Sequence, residues 1–316
     1  MNRIGQGLAC GVAAGALWGG VYMAPVWVPD FTPLQLSAGR YLAYGIGAAV
    51  FLAPRWREVL PRVSRAEWWA LVWLSLLGNI LYYILLASAV QMGGVAMTTL
   101  ITGFMPVAVT VIGVLHYRNL PLRRLTPCLL LGLAGVLCSV WPALQTTHPG
   151  GTPHPLLGAA CALGALAVWS AYAAANAIWI KRLHHVSARD WSLLLGLVTG
   201  AEALLLLAPA LQQSLDHPAG AWIRFGATSA GVALFASVIG NALWNRMSRL
   251  LPLTMTGQMI LCEMLFALLY CFAWEQRWPH PGEAAALVLL VASVLLCVST
   301  HRQKGSAATQ QASQAG

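Results

Sequence analysis

The chain has 316 residues, of which 59% are apolar and only 9% are charged. Soluble domains carry about 25% charged residues, so this composition excludes a water-exposed globular surface and predicts lipid as the solvent. The formal net charge of +9 would suggest a nucleic-acid partner in a soluble protein, but its distribution along the chain points to another cause.

Ten apolar segments follow one another along the chain, each close to the ~20 residues that a helix needs to cross the hydrocarbon. The first is interpreted as a retained span and not a cleaved signal peptide, because its apolar run continues for a full span. The tail at 302–316 is Gln, Ala and Ser and is predicted to be disordered. We predict an all-α integral membrane protein whose ten transmembrane helices lie at Gly5–Trp27, Pro33–Ala53, Trp68–Val90, Val95–Tyr117, Leu125–Trp141, Leu156–Ile180, Trp191–Leu207, Ile223–Asn245, Leu253–Trp274 and Ala284–Thr300.

The basic residues divide unequally between the two sides of this arrangement. With the connections numbered alternately, 15 fall on the side of the N-terminus, two (Arg224 and Arg277) fall on the other side, and Arg40 lies within a span. Loops rich in Lys and Arg stay in the cytoplasm, so both termini are predicted to be cytoplasmic. The net charge is then a topology signal, which predicts a bilayer and no nucleic acid as the partner.

Three motifs recur in the same order in the two halves of the chain, residues 1–145 and 146–301. A repeat of five helices is odd in number, so the second copy would insert upside down. Inverted repeats are typical of secondary transporters, with the substrate site near the midplane between the halves. In chain order, Gly7-x-x-Cys10 followed by Ala16-Leu17-Trp18 matches Gly158-x-x-Cys161 followed by Ala167-Val168-Trp169. Next, Leu52-Ala53-Pro54 matches Leu207-Ala208-Pro209, and Leu77-Gly78-Asn79 matches Ile239-Gly240-Asn241.

A further set of motifs occurs in a recognisable order, namely Leu17-Trp18-Gly19-Gly20, Pro33-x-x-Leu36-x-x-x-Arg40, Met105-Pro106, Gly132-x-x-Gly135-Val136 and Glu275. In this order the chain resembles the EamA-type families of the drug/metabolite transporter superfamily over residues 5–300. The resemblance implies a bacterial inner-membrane protein that exports small metabolites, often amino acids or amphipathic compounds, without ATP.

Polar and aromatic residues recur at helical spacing on single faces of several predicted spans. A polar side chain in hydrocarbon needs a partner, so these faces are expected to point inward. They predict either a cavity for a partly apolar small molecule or helix–helix hydrogen bonding without a ligand. The candidate lining residues are Trp18, Tyr22, Asn79, Tyr83, Thr99, Trp169, Tyr172, Asn176, Asn241 and Trp244.

Three charged residues, Arg40, Glu202 and Glu263, fall within predicted spans, where a charge is costly and indicates function. Arg40 and Glu202 could snorkel to the interface, pair with each other, or, for Arg40, bind a substrate carboxylate. Glu263 is the leading candidate for a coupling proton or for the anionic partner of a cationic substrate. Its alternative is a neutral, hydrogen-bonded carboxyl facing a neighbouring helix.

The sequence therefore predicts a secondary transporter for amino acids or related metabolites that works by alternating access, proton-coupled or facilitative. We expect no catalytic residues, metal site or cofactor, and a monomer or homodimer as the assembly. The glycine face Gly7, Gly11, Gly15 and Gly19 would serve internal packing or a dimer seam. The rival hypotheses are organic-cation efflux, an intramembrane enzyme acting on a lipid-linked substrate, and a non-transporting membrane subunit.

Overall fold

The structure is a computed structural model that describes residues 3–117, 123, 125–145, 154–183, 185–251 and 253–314. Within these ranges the regular elements are all helical. In chain order the helices are α1 (Arg3–Trp27), α2 (Pro33–Arg62), α3 (Arg65–Gly93), α4 (Val95–His116), α5 (Thr126–Gln145), α6 (Pro155–Arg182), α7 (Ala188–Leu211), α8 (Ala219–Ser248), α9 (Leu253–Glu275) and α10 (Pro281–Gln314).

Seven helices of the described chain, α1 to α4 and α6 to α8, are long and apolar enough to cross a membrane. Helices α5 and α10 contain shorter apolar stretches, Thr126–Trp141 and Pro281–Cys297. The prediction of an all-helical, multi-pass membrane protein is confirmed, whereas the count of ten spans stays a prediction.

Helix α10 continues through residues 302–314, so this part of the tail is helical and not disordered as its composition predicts. The difference has a physical reason. Alanine and glutamine are good helix formers, and extending a helix that already exists avoids the cost of nucleation. Composition alone does not reveal that a preceding apolar helix supplies the nucleus.

Local sequence signals account for where the helices begin. Capping boxes precede α2 and α3: the Thr32 side chain accepts from the Gln35 N–H, and the Ser64 side chain accepts from the Glu67 N–H. Proline occupies the first turn of α2, where its missing N–H leaves no helical hydrogen bond unmade. Gly94, with φ of 84°, reverses the chain between α3 and α4.

Two helices contain a π-helical segment, Leu76–Leu81 in α3 and Ala233–Gly240 in α8. Such segments are rare and occur frequently at functional sites. Each contains the glycine of the repeated Gly-Asn motif, Gly78 or Gly240. The two irregular segments therefore fall at matching places in the two halves of the sequence.

The glycine face of α1 packs inside the protein. A Cβ placed on Gly15 would lie 2.7 Å from the Cβ of Cys262 on α9, and one on Gly11 would lie 2.7 Å from the sulfur of Met247 on α8. Small residues thus let α1 approach both helices closely. This confirms the packing interpretation, and the alternative of a dimer seam on this face is wrong.

Helices α2 and α7 cross in direct backbone contact. A Cβ on Gly45 would lie 2.5 Å from the Cα of Gly200, and a Cβ on Gly200 would lie 2.6 Å from the Cα of Gly45. Real Cβ atoms essentially never approach so closely, so this crossing requires glycine on both helices. It joins the first half of the chain to the second.

Candidate functional site

Arg40 of α2 lies at the centre of the site. Its guanidinium carbon is 4.3 Å from the ring centre of Tyr83 and 5.1 Å from that of Tyr41, and these rings meet edge to face at 5.8 Å. The residue is only 9% exposed, so it does not snorkel to an interface. Its Nε and Nη1 have no hydrogen-bond partner within the described chain.

Glu263 of α9 is the opposite charge of this site. Its carboxyl interacts electrostatically with Arg40, Tyr22 and Tyr82. The two opposite charges form no direct ion pair among the described residues. They stand on different halves of the chain and face a common region lined by tyrosines.

Hydrogen bonds hold the tyrosine side of the site in place. The Tyr22 hydroxyl is 3.0 Å from the Thr102 hydroxyl of α4, and Thr102 donates to the carbonyl of Thr98. These hydrogen bonds fix α1 and α4 beside the region that Arg40 and Glu263 face. Thr99, one of the predicted lining residues, is fully buried with no partner for its hydroxyl in the described chain.

Trp18 and Trp244 form an aromatic pair between α1 and α8. Their ring centres are 5.0 Å apart, and the Trp18 indole donates to the carbonyl of Ala236 at 3.0 Å. Ala236 lies in the π-helical segment of α8. A Cβ on Gly240 would lie 2.7 Å from the Trp18 indole nitrogen, so glycine makes room for this ring.

Trp169 and Tyr172 bring α6 to the same region. The Trp169 ring centre is 6.4 Å from that of Tyr82 and 6.3 Å from that of Tyr172. The Tyr172 ring lies over Gly78 of α3, where a Cβ would be 2.4 Å from it. The structure thus brings Tyr22, Tyr83, Trp169, Tyr172, Arg40 and Glu263 towards one region.

Three of the predicted lining residues are engaged elsewhere, and one of them, Asn79, contacts Thr199 of α7. The side-chain oxygen of Asn176 accepts from the Trp191 indole at 2.9 Å, which ties α6 to α7. The side-chain nitrogen of Asn241 donates to the Ser237 carbonyl of its own helix at 2.7 Å. These contacts match the alternative interpretation of hydrogen bonding within and between helices.

Replacing Asn176 with alanine is expected to lower stability and leave ligand binding intact. The change leaves the indole N–H of the fully buried Trp191 without its acceptor, which costs about 1–3 kcal/mol. Thermal unfolding of the purified protein measures the loss, and Asn176→Asp, which keeps an acceptor oxygen, is the control. Equal stability of Asn176→Ala and the wild type would contradict this role.

A second set of polar residues joins α3 to α7, and we name it the α3–α7 polar cluster. It consists of Ser75, Asn79, Thr199 and Glu202. Ser75 Oγ lies 2.6 Å from Glu202 Oε2 and 2.9 Å from Thr199 Oγ1, and the Asn79 amide donates to Thr199 Oγ1 at 2.8 Å. The hypothesis that Glu202 pairs with Arg40 is wrong, since the partner of its carboxyl is Ser75.

Four residues of these sites, Tyr41, Tyr82, Ser75 and Thr199, are not among the residues that the sequence predicts. Tyr41 directly follows Arg40, and Tyr82 directly precedes Tyr83; Arg40 and Tyr83 are predicted site residues. Ser75 lies four residues before Asn79, and Thr199 lies three before Glu202. Helical spacing from the chosen residues therefore carried a signal that could have found Ser75 and Thr199.

The fold and these sites define a multi-pass helical membrane protein with charged and aromatic residues gathered between its helices. The description "EamA-like transporter family" matches residues 5–141. The inner membrane protein YtfF of Escherichia coli (strain K12) is 29% identical over 311 residues, which cover 95% of this chain and 97% of YtfF. The predicted resemblance to the EamA-type transporters is thereby confirmed for residues 5–141.

A solved structure titled "Crystal structure of protein" superposes with a TM-score of 0.55 at 18% identity. The match covers 94% of this chain and 98% of that one, and it supports the fold alone. The family match and the inner-membrane relative together support a membrane transporter, and not an enzyme.

Proposed function

We propose that the protein is a secondary transporter that exports a small zwitterionic metabolite, an amino acid or a close relative, by alternating access. The observation that carries this proposal is the pair of buried, unpartnered N–H donors on Arg40, which stands opposite the Glu263 carboxyl among tyrosines. A buried charge without hydrogen-bond partners is costly, so a ligand that supplies them gains affinity at this place.

A carboxylate is the group that best satisfies Arg40. The guanidinium presents planar, parallel N–H donors, a geometry that matches two carboxylate oxygens. The Tyr83 and Tyr41 rings hold the guanidinium by cation–π contact and leave Nε and Nη1 for the ligand. The substrate end next to α2 is therefore assigned as anionic.

An ammonium group suits the opposite side of the site. Glu263 supplies a negative charge, and the phenol groups of Tyr22 and Tyr82 lie close enough to interact with it. A ligand with both charges fits this arrangement better than an organic cation, which Arg40 would repel. Organic-cation efflux therefore ranks second, because an organic cation has no carboxylate to bind Arg40.

The two halves are proposed to be inverted repeats of five spans each. The alignment of Leu52-Ala53-Pro54 with Leu207-Ala208-Pro209 places Gly45 opposite Gly200, and these two glycines contact each other. A contact between equivalent residues is what a twofold axis at that point requires. The α2–α7 crossing is then the pivot about which the halves rock.

The neighbours of the helices follow the same symmetry. Helix α1 packs against α8 and α9, and α6 packs against α3 and α4, which are their counterparts in the other half. Helix α2 packs against α8, and α7 packs against α3. This pattern supports exchange between two near-equivalent conformations, each open to one side of the membrane.

The proposed orientation places both termini in the cytoplasm of the inner membrane. On the outer side, Arg277 donates to both carboxylate oxygens of Glu283 at 2.7 and 2.8 Å, and these hydrogen bonds raise the pKa of the arginine. Arg224 lies 3.9 Å from Asp30. Both basic residues of that side are thus paired with acids, which leaves the excess positive charge on the cytoplasmic side.

A thermal-shift screen tests the proposed substrate class. The purified protein is heated with amino acids, with the corresponding amines and with quaternary amines. A ligand of the native state stabilises it by about 2.7 kcal/mol at a concentration of 100 times Kd. We expect amino acids to raise the unfolding temperature of the wild type and of Glu58→Gln, an exposed control, but not of Glu263→Gln.

Two outcomes of this screen would contradict the proposal. If the amines without a carboxylate stabilise the wild type as well as the amino acids do, the ligand is a cation. If no compound shifts any of the three proteins, the amino-acid assignment fails.

A further inference from the structure

The α3–α7 polar cluster lies next to the proposed pivot. Thr199 precedes Gly200 in the chain, and Glu202 follows it by two residues. Ser75 and Thr199 are fully buried. The cluster therefore links the two halves by side-chain hydrogen bonds at the point where they touch, and it is separate from the site around Arg40.

The number of hydrogens available to this cluster favours a protonated Glu202. Three oxygen–oxygen contacts run in a chain: Glu202 to Ser75 at 2.6 Å, Ser75 to Thr199 at 2.9 Å, and Thr199 to the Leu195 carbonyl at 2.7 Å. Each contact needs one hydrogen, but the two hydroxyl groups carry only two. The Asn79 amide binds a lone pair of Thr199 and adds no hydrogen to the chain.

The missing hydrogen belongs on Glu202. A carboxylic acid donates to Ser75, which then donates to Thr199, which donates to the Leu195 carbonyl. An ionised carboxylate only accepts, so Ser75 would turn its hydrogen to Glu202, and one of the two remaining contacts would lack a hydrogen. The protonated form alone gives each of the three contacts a hydrogen of its own.

From this geometry we propose that Glu202 is the proton-binding site of the transporter, distinct from the substrate site, and that it is protonated in this conformation. The coupling role rests on the proposed transport function. When the carboxyl loses its proton to water, the O–H bond breaks and a negative charge remains between α3 and α7. Such a charge is costly away from water, so it favours a conformation in which the two helices separate and hydrate it.

The acid of the cluster has no counterpart in the first half of the chain. The alignment that pairs Gly45 with Gly200 pairs Glu202 with Gly47 on α2, which has no side chain to titrate. The symmetry-related conformation therefore has no equivalent acid at this place. One proton thus distinguishes two conformations that the repeat would otherwise make nearly equal in energy.

The surroundings of Glu202 favour a proton over a metal cation. Ser75 is the side chain of the described residues that interacts with its carboxyl. To bind a metal ion, several oxygens of this hydrogen-bonded series would have to give up their present partners at once. A proton binds to a single carboxylate oxygen. Among the side chains that the structure describes, the titratable and charged groups on the helices packed against α7 are Arg40, Tyr41, Tyr44, Arg55, Arg57, Glu58 and Arg62 on α2, Arg65, Glu67, Tyr82 and Tyr83 on α3, and Cys161, Tyr172 and Arg182 on α6.

Infrared spectroscopy of the purified protein tests the proton directly. A protonated carboxyl has a C=O stretching band that a carboxylate lacks. At neutral pH we expect this band in the wild type and in Glu263→Gln, its absence in Glu202→Gln, and a shifted band in Ser75→Ala, where the hydrogen-bond partner is removed. Glu202→Gln preserves the size of the side chain. If Glu202→Gln does not fold, the shift of the C=O band in Ser75→Ala still tests the proposal.

A band that is unchanged in Glu202→Gln and in Ser75→Ala would overturn the proposal. So would stabilisation of the wild type by sodium ions that Glu202→Gln has lost, since the site would then hold a metal cation. Amino-acid binding is measured on the same samples. If the infrared result is as expected while no amino acid binds, the proton site stands and the proposed substrate class fails.

Discussion

Replacement of Arg40 by glutamine is expected to weaken amino-acid binding by about 10- to 100-fold. Hydrogen bonds to charged groups are worth about 1.5–3 kcal/mol, and 1.4 kcal/mol corresponds to a tenfold change in affinity. Glutamine retains a donor but loses the charge and the planar fork. Arg40→Lys retains the charge but not the planar fork of donors, so its affinity for the amino acid is expected to lie between those of the wild type and Arg40→Gln.

Arg57→Gln is the matched control for this experiment, because it makes the same change at an exposed arginine of α2. Isothermal titration with the amino acids that stabilise the wild type provides the affinities. Binding by Arg40→Gln that equals the wild type would mean that the carboxylate is held elsewhere, and the role assigned to Arg40 would be wrong.

The second large effect is expected at the α2–α7 crossing. A Cβ on Gly45 would meet the Cα of Gly200 at 2.5 Å, and backbone on both sides leaves no flexible side chain to move aside. Overpacking of this kind typically costs 1–3 kcal/mol, so Gly45→Val should lower the unfolding temperature by roughly 2–12 °C for a chain of this size. Gly200→Val is expected to act in the same way.

Gly47→Val provides the control within the same helix. It introduces the same β-branched residue, but a Cβ on Gly47 meets nothing within 4 Å. The difference in unfolding temperature between the two variants isolates the contact from helix propensity. If Gly45→Val and Gly47→Val are equally stable, α2 and α7 do not cross at these glycines.

The membrane class and the helix positions could be predicted because they depend on composition and on local chain properties. Apolar runs set the helices, and Thr32, Ser64 and Gly94 mark ends by local chemistry. The helical tail could not be predicted from its polar composition, since its structure depends on the preceding apolar helix.

The types of residue that form the site could be predicted, but the division of these residues between separate clusters could not. Helical spacing put Tyr83 on a face expected to point inward, and a charge within a predicted span singled out Arg40 and Glu263. Helical spacing does not reveal which faces meet. Asn176 therefore resembled a lining residue until Trp191, fifteen residues away on the next helix, proved to be its partner.

The most direct test of the account is efflux from liposomes that contain the purified protein. Liposomes are loaded with a labelled amino acid that stabilises the wild type, and its loss is followed with and without a proton gradient. We expect wild-type efflux that responds to the gradient, gradient-independent or lost efflux in Glu202→Gln, and little efflux in Arg40→Gln. Retention of the amino acid by wild-type liposomes as complete as by protein-free liposomes, under either gradient, would contradict the transport function.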